Sequence, residues 1–258
     1  MKIGILYIAI GDYVMFWDKF YSSAEKYFLP NEEKHYYVFT DAKNINYEKS
    51  SNVHRLYQKD LGWPGNTLFR YHIFAKHIYA YRDMDYLFFF NANLEFKEFV
   101  SRDILSEDKL IVVQHFGYRL LSPQEFPYDR NPESHAYIPF DRGKDYVCGG
   151  FNGGKTDVYI SMILELQKAI EDDYVQGIVA KWHDESHINK YILSHPYIML
   201  HPGYVHPQGW YRLPYPCIVL LRDKVIYGGR IFLSKKGYSW KEICKYYLRY
   251  LYNMLRKH

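Results

Sequence analysis

Tyr86-Leu87-Phe88-Phe89-Phe90-Asn91-Ala92-Asn93-Leu94-Glu95 reads as an apolar strand that runs into a short polar turn. Acids in such a turn would give Mg²⁺ or Mn²⁺ hard oxygen ligands. Here both positions are amides, which bind a divalent ion far more weakly. Taken alone, the segment also suits an ordinary strand followed by an Asn turn, because Asn tolerates left-handed dihedrals.

Outward from this segment, strand and helix alternate with no repeat, low-complexity run or long linker. Ile3 to Ile10 reads as a strand, and Tyr13 to Phe28 as a helix with Phe16, Phe20, Ala24 and Tyr27 on one face. Tyr36 to Thr40, Val53 to Tyr57 and Leu110 to Val113 are further strands, and Thr67 to Tyr81 reads as a helix between two of them. Strands interleaved with helices argue for an α/β fold with a mostly parallel sheet, and ligands gather beyond the carboxyl ends of such strands. Ala9-Ile10 and Asn91-Ala92-Asn93 both lie at such ends, so the two can face one ligand.

A chain of 258 residues with 48% hydrophobic content is long enough to bury a sizeable core. Aromatics make up 19%, with 29 Tyr, an excess that suits carbohydrate sites but serves mostly to fill a core. Cys148, Cys217 and Cys244 cannot all pair within one chain, and a reducing compartment is the simpler reading. Lys2 to Ile10 lacks a small-residue cleavage motif and fits a buried first strand better than a signal peptide. No stretch approaches transmembrane length. These features lead us to expect a cytoplasmic protein, with peripheral contact on the inner face of the membrane as an option. That option comes from the tail, where Lys235, Lys236, Lys241, Lys245, Arg249, Arg256 and Lys257 face only Glu242, an excess greater than the net +4 of the whole chain. From Ser239 the tail reads as a basic amphipathic helix with Ile243, Tyr247, Tyr250, Leu251 and Met254 at helical spacing. Such a helix anchors to a membrane surface or packs on the domain. We therefore divide the chain into a catalytic domain at 1–236 and this helix at 237–258.

The chemistry is concentrated in Trp182-His183-Asp184-Glu185-Ser186-His187-Ile188-Asn189-Lys190-Tyr191. His183 and His187 stand four apart, but a zinc motif needs Glu directly after the first His, and Asp184 intervenes. As structure alone, Asp184 and Glu185 are first-turn acids that complement a helix N-terminus.

This block, together with Tyr36-Tyr37-Val38-Phe39-Thr40-Asp41, the Asn91 turn, Ala136-Tyr137-Ile138-Pro139 and Cys148-Gly149-Gly150-Phe151-Asn152-Gly153-Gly154, resembles glycosyltransferase family 6 in order and approximate spacing. The family comprises retaining α-1,3-galactosyl and N-acetylgalactosaminyl transferases, including the blood-group A and B enzymes. The resemblance runs from about Ile8 to about Lys224 and implies a GT-A type fold. In the family two turn carboxylates bind the metal that clamps the donor diphosphate. Asn91 and Asn93 depart from that pattern in the manner of its metal-independent bacterial branch, so no metal cofactor is expected.

The resemblance also assigns residues. Ile8, Ala9, Ile10 and Tyr13 match the uridine segment, with Tyr13 placed to stack on the base. Arg70 matches an arginine that bridges donor sugar and turn, and Asn91, Ala92 and Asn93 are the turn itself. Glu185 aligns with the acid beneath the anomeric carbon and Asp184 with a donor-sugar ligand. Trp182 and His183 fall on the acceptor side with His115 and Tyr128. Cys148, Gly149 and Gly150 abut the C2 substituent of the sugar, where small residues leave room for N-acetyl. Gly117 resembles small family residues that admit a fucose on the acceptor. Lys224 and then Arg230 are expected over the diphosphate. The reading that follows is metal-independent transfer of α-GalNAc from UDP-GalNAc to the 3-hydroxyl of a β-galactoside fucosylated at its 2-hydroxyl, without nucleic acid. Two alternatives are an α-galactosyltransferase using UDP-Gal and a non-catalytic glycan-binding protein.

Overall fold

The computed structural model describes residues 1–210 and 213–228. Arg230 and the expected tail helix at 237–258 lie outside the described residues.

The first half contains β1 (Lys2–Ile8), α1 (Trp17–Tyr27), β2 (Glu33–Thr40), β3 (Val53–Tyr57), α2 (Gly62–Leu68), α3 (Arg70–Ala75), α4 (Ile78–Tyr81), β4 (Tyr86–Phe90) and β5 (Leu94–Phe96). The second half contains β6 (Leu110–Gln114), β7 (Val147–Lys155), α5 (Thr156–Val175), α6 (Asp184–Tyr191), β8 (Tyr197–Leu200), β9 (His206–Pro207), β10 (Val219–Leu221) and α7 (Lys224–Gly228). Seven strands form one sheet in the order β3-β2-β1-β4-β7-β6-β8. Every neighbouring pair is parallel except β7 with β4 and with β6. The sheet is therefore mixed but mostly parallel, flanked by helices, as in a GT-A-like glycosyltransferase fold. A small sheet, β5-β10-β9, carries the chain back to the turn after β4.

β4 sits in the middle of the large sheet and is buried along its whole length. Its alternation feeds two cores. Tyr86, Phe88 and Phe90 join one hydrophobic cluster with Phe20, Phe28 and Phe96, while Leu87 and Phe89 join the other with Phe74, Tyr159 and Ile163. Each fully buried Phe contributes ~1.5–3 kcal/mol relative to exposure, so this strand fixes the sheet and with it the position of the turn.

Two expected helices are interrupted. The segment after β1 opens as a 3-10 turn over Gly11–Phe16, because Gly11 takes φ +56° to leave the strand, and the α-helix begins only at Trp17. The helix expected over Thr67 to Tyr81 is three short ones. Phe69 (φ −93°, ψ 22°) and His77 (φ −120°, ψ 16°) leave the helical region. Burial of Arg70, Tyr71 and Phe74 against the sheet overrides continuous helical hydrogen bonding there. No described helix is long and apolar enough to cross a membrane.

The close approach of β7 to β4 requires glycine at one position. A Cβ on Gly153 would lie 2.2 Å from the Phe88 ring and 2.7 Å from the Leu87 carbonyl oxygen, whereas one on Gly154 would meet nothing closer than 3.5 Å. Gly153→Ala should cost ~1–3 kcal/mol or more by overpacking, and Gly154→Ala should stay within ~1 kcal/mol, as read by urea denaturation of both variants.

Candidate active site

The carboxyl ends of β1 and β4 open onto a cavity of about 420 Å³. Ile8, Ile10 and Tyr13 line one side, Asn91, Ala92 and Asn93 another, and Trp63, Arg70 and Lys224 complete the wall. Ala9 does not reach it. Its side chain is fully buried in the core and its N–H donates to the Phe39 carbonyl at 2.9 Å, so only its backbone shapes the pocket.

The turn is held by backbone. Asn91 N–H donates to Gly150 O at 2.8 Å, Leu94 N–H to Asn91 O at 3.0 Å, and Tyr7 OH to Ala92 O at 2.8 Å. The two amides then do different things. Asn91 lines the cavity with its side chain against Gly150, where a Cβ would stand 2.6 Å from Asn91 Nδ2. Asn93 is only 3% exposed, and its Nδ2 donates to the Arg222 carbonyl at 2.6 Å while Arg222 N–H donates to Asn93 O at 2.9 Å. Asn93 thus borders the cavity with Asn91 and has a second task in its amide N–H. It clamps the returning segment, a task that an acid, lacking the N–H, cannot perform. The donor set does not fit a divalent cation. Neither amide is a strong ligand, and among the described residues no group of three His, Cys, Asp or Glu is placed to hold a metal.

The same clamp delivers the cation. Arg222 is buried, its Nε 3.5 Å from Glu95 Oε2 and its guanidinium 3.8 Å from the Tyr227 ring centroid. Two residues later Lys224 Nζ reaches the cavity and donates to Tyr13 OH at 3.1 Å. Burial pulls the Lys224 ammonium down to about 8.

Arg70 is the hub of the catalytic block. Its Nη1 lies 2.6 Å from Asp184 Oδ2 and donates to Gly149 O at 2.6 Å, and its guanidinium stacks 4.0 Å above the Phe89 ring. Asn152 Nδ2 donates to the same Gly149 carbonyl at 3.2 Å, and Tyr159 OH donates to Asn152 Oδ1 at 2.6 Å. Burial pushes Asp184 up to about 6 against the pull of Arg70, so it is still ionised at neutral pH.

Glu185 lies beside this pair. Gly149 N–H donates to its Oε2 at 2.8 Å and Tyr146 OH to its Oε1 at 3.0 Å. Burial nevertheless pushes its carboxyl up to about 7. α6 is laid against β7 by Asn189, whose Oδ1 accepts from Val147 N–H and whose Nδ2 donates to Val147 O, each at 2.9 Å. At the start of α6, Ser186 Oγ accepts from Trp182 N–H at 2.9 Å. His183 takes φ +54°, a strained value for a non-glycine residue, which lets Trp182 turn outward while Asp184 turns in.

The remaining expected residues divide. Trp182 is exposed and His183 packs edge-on to Trp63 with centroids 5.1 Å apart. His115 is held by Gly117 N–H donating to its Nδ1 at 3.0 Å, and burial pulls its imidazole down to about 4, so it is neutral. Tyr128 is 1% exposed, and its OH donates to the Asp145 carbonyl at 2.5 Å. It supports the site from behind, and the expectation of acceptor contact is corrected, since its polar end is already used. Cys148 is buried in the core, and the space beside Gly150 is taken by the Asn91 amide, so a larger residue at 150 would first displace Asn91. Tyr146, Asn152 and Asn189 were not among the expected site residues. Asn189, inside the Trp182 block, and Asn152, inside the block at 148–154, carried a sequence signal; Tyr146 carried none.

A GT-A-like sheet with a cavity at its carboxyl ends and two buried acids beside it defines a glycosyltransferase. The profile of glycosyltransferase family 6 matches residues 1–219. The chain is 35% identical over 224 residues to the O-antigen biosynthesis glycosyltransferase WbnI of Escherichia coli, covering 87% of this chain and 95% of that one. It is 34% identical to histo-blood group ABO system transferase 1 of Rattus norvegicus, with 81% and 62% covered, and 30% identical to human globoside α-1,3-N-acetylgalactosaminyltransferase 1, with 80% and 61% covered. It thus spans nearly the whole bacterial relative and about three fifths of the mammalian ones. The chain belongs to glycosyltransferase family 6.

The buried ion pair sets a test of the site's stability. Arg70→Met leaves the Asp184 charge uncompensated and should cost ~3–5 kcal/mol. Adding Asp184→Asn should return part of that loss in urea denaturation at pH 8.

Proposed function

We propose that this protein is a retaining, metal-independent α-1,3-N-acetylgalactosaminyltransferase that moves GalNAc from UDP-GalNAc to the 3-hydroxyl of a β-galactoside, fucosylated at its 2-hydroxyl. The single observation that carries the reading is the Glu185 carboxylate, held between Gly149 N–H and Tyr146 OH and adjoining the Arg70–Asp184 pair, of which Arg70 lines the cavity. Uridine is assigned to the side lined by Ile8, Ile10 and Tyr13, and the diphosphate to the space between Asn91 and Lys224. His115, His183 and Trp182 are assigned to the acceptor. The name of the globoside relative supports the donor class, and that of WbnI supports an O-antigen setting.

In the proposed reaction the bond from the anomeric carbon to the UDP oxygen breaks as positive charge develops on the sugar ring. Glu185 meets that charge as a carboxylate, by electrostatic stabilisation or by bonding to the carbon. Lys224 offsets the charge gained by departing UDP. The acceptor hydroxyl then bonds to the anomeric carbon and its proton passes to a phosphate oxygen of UDP; in the covalent route the bond from the carbon to Glu185 breaks in the same step and releases the carboxylate. No step runs through a metal. The basic tail at 237–258 is assigned to anionic lipid at the cytoplasmic face of a membrane.

Activity should accordingly survive EDTA and gain little from Mn²⁺ in a UDP-GalNAc transfer assay. Loss of most turnover on chelation would remove the metal-independent reading.

Protonation provides a second test. Glu185 must be ionised, so kcat/KM should rise through pH 7, and Lys224 must be charged, so it should fall above pH 8. Glu185→Gln keeps the shape and removes the charge. It should lower kcat by about a hundredfold or more with UDP affinity within a few fold.

A further inference from the structure

Tyr146 stands just before β7, outside the motif blocks, yet it supplies one of the two side-chain or backbone donors to Glu185. Its ring is fixed by the segment between β6 and β7. It packs against Tyr128 at 5.5 Å, Tyr118 at 5.0 Å and His115 at 5.7 Å between centroids, within a small cluster completed by Phe126 and Ile138. A phenol buried this way stays protonated, because burial and the neighbouring Glu185 raise it far above its ordinary range. It can therefore only donate to the carboxylate.

We propose that Tyr146 is a positioning residue of the transfer reaction, whose hydroxyl holds Glu185 aimed and ionised and whose ring ties that carboxylate to the packing of the β6–β7 segment. This rests on the reading of Glu185 as the carboxylate that meets the anomeric carbon. The other groups that face Glu185 are Arg70 and Tyr71 of α3, Asp184 of α6, Cys148 of β7 and Tyr118 of the β6–β7 segment. Arg70 and the Gly149 N–H favour the charged form, while Asp184 opposes it. Tyr146 is the side-chain hydroxyl that bonds it directly. Tyr128, whose own hydroxyl is turned to Asp145, acts on Glu185 through the Tyr146 ring.

A donor to a carboxylate lowers its pKa, so removing the donor must raise it. In Tyr146→Phe the acid limb of kcat/KM should move up by about one pH unit, a loss of about tenfold at pH 6 that nearly vanishes at pH 9. UDP binding by calorimetry should stay within about twofold, which also reports that the variant is folded. Replacing Tyr146 by 3-fluorotyrosine keeps the shape and strengthens the donor, so the acid limb should move the other way. This variant reads the bond even if the Phe variant does not fold. A loss uniform across pH in the Phe variant, or an acid limb unmoved by fluorination, would overturn the proposal and leave Tyr146 as packing. An acid limb missing from the unaltered enzyme would instead overturn the role of Glu185, which separates the two failures.

Discussion

The catalytic side of the molecule depends on one buried guanidinium. Arg70 joins α3 to α6 through Asp184, to β7 through the Gly149 carbonyl and to β4 through the face of Phe89. A buried charge left without such partners costs several kcal/mol, so these four elements hold one arrangement or none. Gly149 is what makes the arrangement informative. Its carbonyl accepts from Arg70 while its N–H donates to Glu185, so the ion pair and the Glu185 carboxylate are set by one peptide unit on either side of one residue.

The amide turn imposes a second constraint, which decides how charge reaches the cavity. In a turn with two acids, negative charge would be offset by a cation brought from solution. Here Asn93 uses its N–H to fasten the segment that begins at Arg222, and that segment delivers Lys224 to the opposite wall. The Asn93 amide is thus a clamp between the turn and that segment. It also explains why Arg222 lies against Glu95 and the Tyr227 ring while Lys224 projects into the cavity. A compact ammonium whose pKa is lowered by burial is a charge that a diphosphate can restore.

Much of this was legible in the sequence, for reasons that differ by residue. Tyr86 to Phe90 and its turn could be read because a strand buried on both faces has a composition that few other elements share. The block from Trp182 could be read because its chemistry is contiguous. Asn93 was legible as a turn residue at the cavity but its clamp on the Arg222 carbonyl was not, since a sequence shows which groups a side chain carries and not which way they point. Tyr128 was misread for a related reason: a tyrosine that spends its hydroxyl on a backbone carbonyl looks identical to one that offers it to a sugar. The helix breaks at Phe69 and His77 were invisible because long-range burial of Arg70 and Phe74, not local propensity, produces them. Tyr146 carries no local signal, because it acts on Glu185, a residue brought near only by the docking of α6.

The central claim is that Lys224, not a metal, takes up the charge of the donor diphosphate. It is tested most directly by calorimetric titration with UDP at pH 8.5 in EDTA, in two buffers of different ionisation enthalpy. In the free protein Lys224 should be partly neutral at that pH, and the diphosphate should restore its charge. The account predicts binding accompanied by net proton uptake, with the uptake lost in Lys224→Met. UDP binding that appears only when Mn²⁺ is added, or proton uptake unchanged in Lys224→Met, would contradict it.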